Sequence, residues 1–245
     1  MKRTLAYSAA AIAAVCALRF GVTKTHAAAA GSLVGSVKLE GPPPKRAPIN
    51  MAREPSCAAA MHGSPVLAED IVTDAAGNLQ NVAVYISAGL PDSGLAPPQE
   101  PAVISQNGCA FKPHVVALQA NQKLQIVNTD QTSHNIHPMP ESNREWNKSQ
   151  PPGSPAFEES FPREEIGIPV KCNVHPWMRA YIAVFRHPYY SVTNQSGAFT
   201  IKNLPPGNYT VSAWHEKLGT LSQKLTVAAG ESKSVQFAFK ARAGT

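Results

Sequence analysis

The chain has 245 residues and a formal net charge of +6. Lys2, Arg3, Arg19 and Lys24 carry four of those charges, so the remainder is nearly neutral and gives no electrostatic case for binding nucleic acid. It holds no Gly-x-Ser-x-Gly elbow, no His-Glu-x-x-His pair and no phosphate loop, and it is expected not to be an enzyme.

The basic start Met1-Lys2-Arg3, the apolar run Leu5 to Leu18 and the small residues Ala27 to Ala30 read as a secretory signal over 1–28. Arg19 interrupts that run short of the ~20 apolar residues a span requires. A membrane is therefore expected only through the leader if it stays uncleaved, and the mature chain is expected to be periplasmic or secreted. Cys16 leaves with the leader, and Cys57, Cys109 and Cys172 remain. In an oxidising compartment Cys57 and Cys109 can pair while Cys172 serves as a thiolate. The spacings Cys57-x4-His62 and Cys109-x4-His114 keep a four-ligand zinc site open as the alternative.

Short alternating runs then recur: Ser32 to Leu39, Asn81 to Ser87, Val115 to Leu118, Leu124 to Asn128, Tyr181 to Arg186, Ala198 to Lys202, Asn208 to Ala213, Leu221 to Val227 and Val235 to Phe239. Rich in Val and aromatics and bounded by Gly, Pro, Asn and Asp, they predict strands, and an all-β protein follows. Leu39 to Glu69 lacks a period and reads as a surface loop held by Cys57. Leu90 to Pro101 reads as a linker, and Ser142 to Phe161 as a polar surface connection.

Within Lys171-Cys172-Asn173-Val174-His175-Pro176-Trp177-Met178, a thiol, an imidazole and a thioether stand at steps of three. Such donors suit copper, and a trigonal His2Cys set with a weak Met is an electron-transfer arrangement. The missing imidazole is available in His134-Asn135-Ile136-His137. These two strings resemble the ligand loops of the cupredoxins, of the amicyanin and plastocyanin kind.

That resemblance covers roughly residues 100–187 and implies a Greek-key β-sandwich. It implies a single copper ion held by His134, Cys172, His175 and Met178 and cycling between Cu(I) and Cu(II). His134 is preferred to His137 because Asn135 follows it, as in the family. His137, expected on the same face at another depth, becomes a partner for solvent or the metal surroundings. Asn135 would tie the two loops near the Cys172 sulfur, and Pro176 would withhold an N–H from it. His175 would present its ring edge at the surface as the electron port, with Trp177 beside it. The implied partner is a cytochrome or a periplasmic dehydrogenase.

Further on, Gly197-Ala-Phe199 opens a strand and Pro205-Pro206-Gly207-Asn-Tyr209 turns into another, since Pro presets φ and Gly tolerates positive φ. This pattern resembles the carboxypeptidase regulatory-like, or transthyretin-like, β-sandwich, whose Gly-x-Val and Val-x-Val strands have counterparts at Gly35-Ser-Val37 and Val82-Ala-Val84. Those counterparts lie before the copper segment. One sandwich built from 31–95 and 188–240, with the copper domain inserted in it or adjoining it, is therefore expected. An alternative function built on that part is a noncatalytic carbohydrate-binding or adhesion module with a structural or stored metal.

Overall fold

The computed structural model describes residues 28–52, 54–60, 65–91 and 94–241. His62 and all of the expected leader except Ala28 lie outside the described residues. Among those described, the strands are β1 (Gly31–Glu40), β2 (Ala83–Ala88), β3 (Ala102–Gln106), β4 (Phe111–Lys112), β5 (Val115–Gln119), β6 (Lys123–Asn128), β7 (His134–Pro138) and β8 (Lys148–Gln150). They continue as β9 (Phe157–Ser160), β10 (Glu165–Lys171), β11 (Arg179–Phe185), β12 (Tyr190–Val192), β13 (Ala198–Leu204), β14 (Gly207–His215), β15 (Gly219–Val227) and β16 (Ser232–Lys240). The one helix among the described residues, α1, is the six residues Pro55–Ala60. The all-β class read from the alternating runs is what the chain adopts.

The strands sort into two β-sandwiches. In the first, the sheet β13-β1-β16 faces the sheet β12-β2-β14-β15. Leu33, Val37, Phe199, Phe237 and Phe239 from one sheet meet Val84, Ile86, Val211 and Ala213 from the other in one buried core. Alternation makes this possible, because inward residues at period two leave Lys38, Glu40, Gln236 and Lys240 outside. β1 runs antiparallel to β13 and parallel to β16, with Gly35 opposite both Phe199 and Val235.

In the second sandwich the sheet β5-β11-β10-β7-β8 faces β4-β3-β6-β9. Ile104, Phe111, Leu124 and Ile126 pack there against Leu118, Ile136, Ile168, Val170, Ile182 and Val184. The Ser142 to Phe161 stretch is more than the connection expected of it, since it supplies the edge strands β8 and β9. Leu39 to Glu69 likewise departs from a plain surface loop. Met51 and Cys57 leave it to enter the second core, and Arg46 fixes its return by donating to the carbonyls of Leu67 and Ala68.

The two sandwiches touch along β11, whose Ala183 and Phe185 are buried with Ala83 of β2. Trp214 of β14 lies 5.6 Å from the ring of Tyr181, and His114 bonds to Glu216 with Glu69 3.5 Å away on the other ring nitrogen.

His215, at the end of β14, is 2% exposed, and burial pushes its pKa down to about 4. The unfolded chain takes up a proton near pH 6.5 that the folded chain refuses until about pH 4. Stability is therefore lost as pH falls through that window, by about 3 kcal/mol from this group. Urea unfolding at several pH values in that range should show a shallower decline for His215→Gln than for the wild type. An unchanged slope would mean that other groups set it.

Candidate metal centre

The strand register builds the site. β10 pairs antiparallel with β7 through Lys171 and His137, and with β11 through Lys171 and Arg179. The seven residues Cys172 to Met178 therefore form the tip of the β10–β11 hairpin, and antiparallel pairing carries that tip back over the start of β7, where His134 stands. The tip is closed by the N–H of Cys172 on the Met178 carbonyl at 3.2 Å and the N–H of Met178 on the His175 carbonyl at 2.9 Å.

Three donors converge there. The Nδ1 atoms of His134 and His175 are 2.9 Å apart, and Cys172 Sγ is 3.7 Å from His175 Nδ1. The ligand atoms of His134, Cys172 and His175 all lie within 4.8 Å of one another. His134 and His175 are 0% exposed and Cys172 and Met178 1%. Met178 belongs to the same buried cluster as Cys172.

Metal–nitrogen bonds of about 2.0 Å and metal–sulfur bonds of about 2.3 Å at near-trigonal angles place N and S about 3.7 Å apart. The Sγ–Nδ1 spacing meets that, and the two imidazoles need to part by about half an ångström for the same angle. One thiol, two imidazoles and a neighbouring thioether form a donor set that suits copper better than zinc. Cys109, Asp130 and His134 also lie close together, but Cys109 is disulfide-bonded and offers no thiolate.

The surroundings fix the tautomers. His134 Nε2 is 2.8 Å from Asp130 Oδ2, so its proton sits on Nε2 and the Nδ1 lone pair faces the site. Asn135 Oδ1 accepts from the Asn173 N–H at 2.7 Å and from the Cys172 thiol at 3.4 Å, joining β7 to the hairpin tip. Burial resists ionisation of Cys172, but the neighbouring His134 and backbone hydrogen bonds around the tip overcome it and its pKa is lowered. For His134, burial is likewise outweighed by Cys172 and Asp130, and its pKa is raised. His175 is lowered by burial and then by His134.

Residues 175–240 match the carboxypeptidase regulatory-like domain family. The match begins inside the hairpin tip and runs through β16. Among solved structures, the chain is similar to a Cu-containing nitrite reductase from Thermus scotoductus, at 15% identity over 40% of this chain with a TM-score of 0.33. This chain spans only 25% of that reductase. It is similar to a purple cupredoxin from Nitrosopumilus maritimus at 19% identity, covering 34% of this chain and 98% of that one, TM-score 0.29. Amicyanin from Paracoccus versutus is 15% identical over 41% of this chain and 96% of its own, TM-score 0.31. No relative among the curated proteins matches the chain.

Other residues singled out in the sequence fall differently. His137 lies an odd number of residues from His134 and so takes the opposite face of β7, where its ring meets Glu145 at 2.6 Å and Asn173 at 3.3 Å. Pro176 is exposed. Cys57 and Cys109 form a disulfide, which excludes zinc ligation by these two, and His114 is engaged with Glu216.

The surface presentation expected of His175 is not found. Its ring is fully buried, with Nε2 3.7 Å from Cys57 Sγ and 3.8 Å from Glu54 Oε2, because the stretch carrying α1 lies over it. Trp177, 5.2 Å from that ring, is half-buried and donates its indole N–H to the Cys109 carbonyl. Sequence reasoning also missed Asp130; its one signal is a carboxylate four residues before His134.

Proposed function

We propose that the second sandwich holds one copper ion at His134, Cys172, His175 and Met178 and that the protein carries single electrons. The observation that carries this reading is the meeting of two imidazole Nδ1 atoms and one thiol in a space closed to water. Copper bound there supplies a one-electron Cu(I)/Cu(II) couple. The chain does the rest. Asp130 keeps the His134 proton on the far nitrogen, Asn135 locks the hairpin tip to β7, and the lowering of the Cys172 thiol pKa favours the thiolate the ion requires. Strands on both sides of the tip hold the four side chains in place, so that changing the charge at the centre demands little movement.

The disulfide supports residence in an oxidising compartment such as a periplasm, with a cytochrome or dehydrogenase as redox partner. With His175 covered, exchange runs through the exposed side of the hairpin tip, where Val174 is 51% exposed.

Adding Cu(II) to the metal-free protein tests the proposal. One equivalent should bind and give an intense visible thiolate-to-copper band, and Cys172→Ser should abolish that band while the far-ultraviolet spectrum stays unchanged. A colourless wild-type complex would overturn it.

A further inference from the structure

Each imidazole at the centre is backed by one half of the same covalent link. Behind His175, Cys57 Sγ lies 3.7 Å and Glu54 Oε2 3.8 Å from Nε2. Behind His134, Asp130 Oδ2 takes the imidazole Nε2 and also the N–H of Cys109 at 2.8 Å, while Oδ1 takes the N–H of Gly108 at 2.6 Å. The Cys57–Cys109 bond closes this frame.

The stretch that supplies Cys57 comes from outside the second sandwich, between β1 and β2. Among the described side chains of α1, Pro55, Ser56, Ala58 and Ala59 are exposed and only Cys57 is buried, at 0%. A helix of six residues is not stable by itself in water. α1 therefore has the disulfide as its grip on the site, and Met51 is the neighbouring anchor upstream.

We infer that α1 is a lid over the metal chamber and that the Cys57–Cys109 disulfide is its latch, so that an ion enters or leaves when the latch is open and is retained when it is closed. The inference rests on the metal reading above but does not depend on which ion is bound. Opening is thiol–disulfide exchange. A dithiol reductant gives up two electrons and two protons, the Cys57–Cys109 bond breaks into two thiols, and the reductant leaves as its own disulfide. Closing reverses this, with a disulfide of the same class as oxidant. Both cysteines are at most 1% exposed, so the latched form resists casual reduction.

The test uses metal-free full-length protein and reads labelling of Cys172 by a small maleimide, resolved peptide by peptide. In the Cys57→Ser/Cys109→Ser chain, with its circular dichroism unchanged, Cys172 should label about tenfold faster or more than in the oxidised wild type. Wild-type protein reduced by a small dithiol and freed of it without air should match the variant, and reoxidation should restore slow labelling. This arm covers the case in which the double variant does not fold. Equal rates in oxidised and reduced protein would overturn the lid. With copper loaded, transfer of the ion to a chelator should accelerate in parallel. Because labelling needs no metal, a lid that opens on reduction in a protein that shows no copper band would sink the copper reading and leave the latch standing.

Discussion

Asp130→Ala is expected to destabilise the protein by about 4 kcal/mol, and in the metal-bound form to weaken the ion roughly 10–100-fold. Among the described residues, the carboxylate is the one partner of three donors: the N–H groups of Gly108 and Cys109 and the Nε2–H of His134. Each buried donor left without a partner costs about 1–3 kcal/mol. It also holds consecutive residues with positive φ, Gly108 at 65° and Cys109 at 51°, the latter a conformation that costs a residue with a side chain. Asp130→Asn keeps one accepting oxygen and should lose about half as much. Urea unfolding of the metal-free variants measures the first effect and competition with a chelator the second. A loss below about 1 kcal/mol for Asp130→Ala would show that water replaces the carboxylate.

Gly35→Ala should cost about 4 kcal/mol or more, enough to prevent the first sandwich from assembling. β1 is the middle strand of its sheet, and a Cβ at residue 35 would stand 1.9 Å from the Val235 carbonyl oxygen and 2.8 Å from the Phe199 ring. The first is backbone of β16 and has no rotamer to escape into, so the strands must separate. Lys38→Ala, exposed on the same strand, should change the melting temperature little. Thermal unfolding of the two variants side by side decides it, and a Gly35→Ala chain that melts like the wild type would show that β1 and β16 slide apart freely.

What the sequence reveals here depends on how local the signal is. Alternating runs such as Ser32 to Leu39 and Val235 to Phe239 disclose strands because each run carries its own period. They do not disclose that these two lie side by side and parallel, since nothing within either run encodes its neighbour. β10 escapes a pattern search because Gly167 and Pro169 interrupt it, and β8 because Lys148-Ser-Gln150 is polar and lies at a sheet edge. At the centre, Cys172, His175 and Met178 announce themselves by spacing within one hairpin tip. Asp130 does not, for one carboxylate near one histidine is common and only the fold makes it bridge His134 to Cys109. Burial of His175 was equally hidden. The covering stretch enters the second core through isolated residues, Met51 and Cys57, which leave no periodic trace.

The parallel pairing of β1 with β16 also sets an order of events as the chain is made. β1 leaves the ribosome among the first residues described, yet one of its two neighbours, β16, is the last strand among them. Every strand from β3 to β11 is available well before that, so the second sandwich can mature while the first still waits with an open edge. A product truncated ahead of Ser232 would carry β1 with β13 alone, exposing a row of unpaired backbone groups that invites self-association.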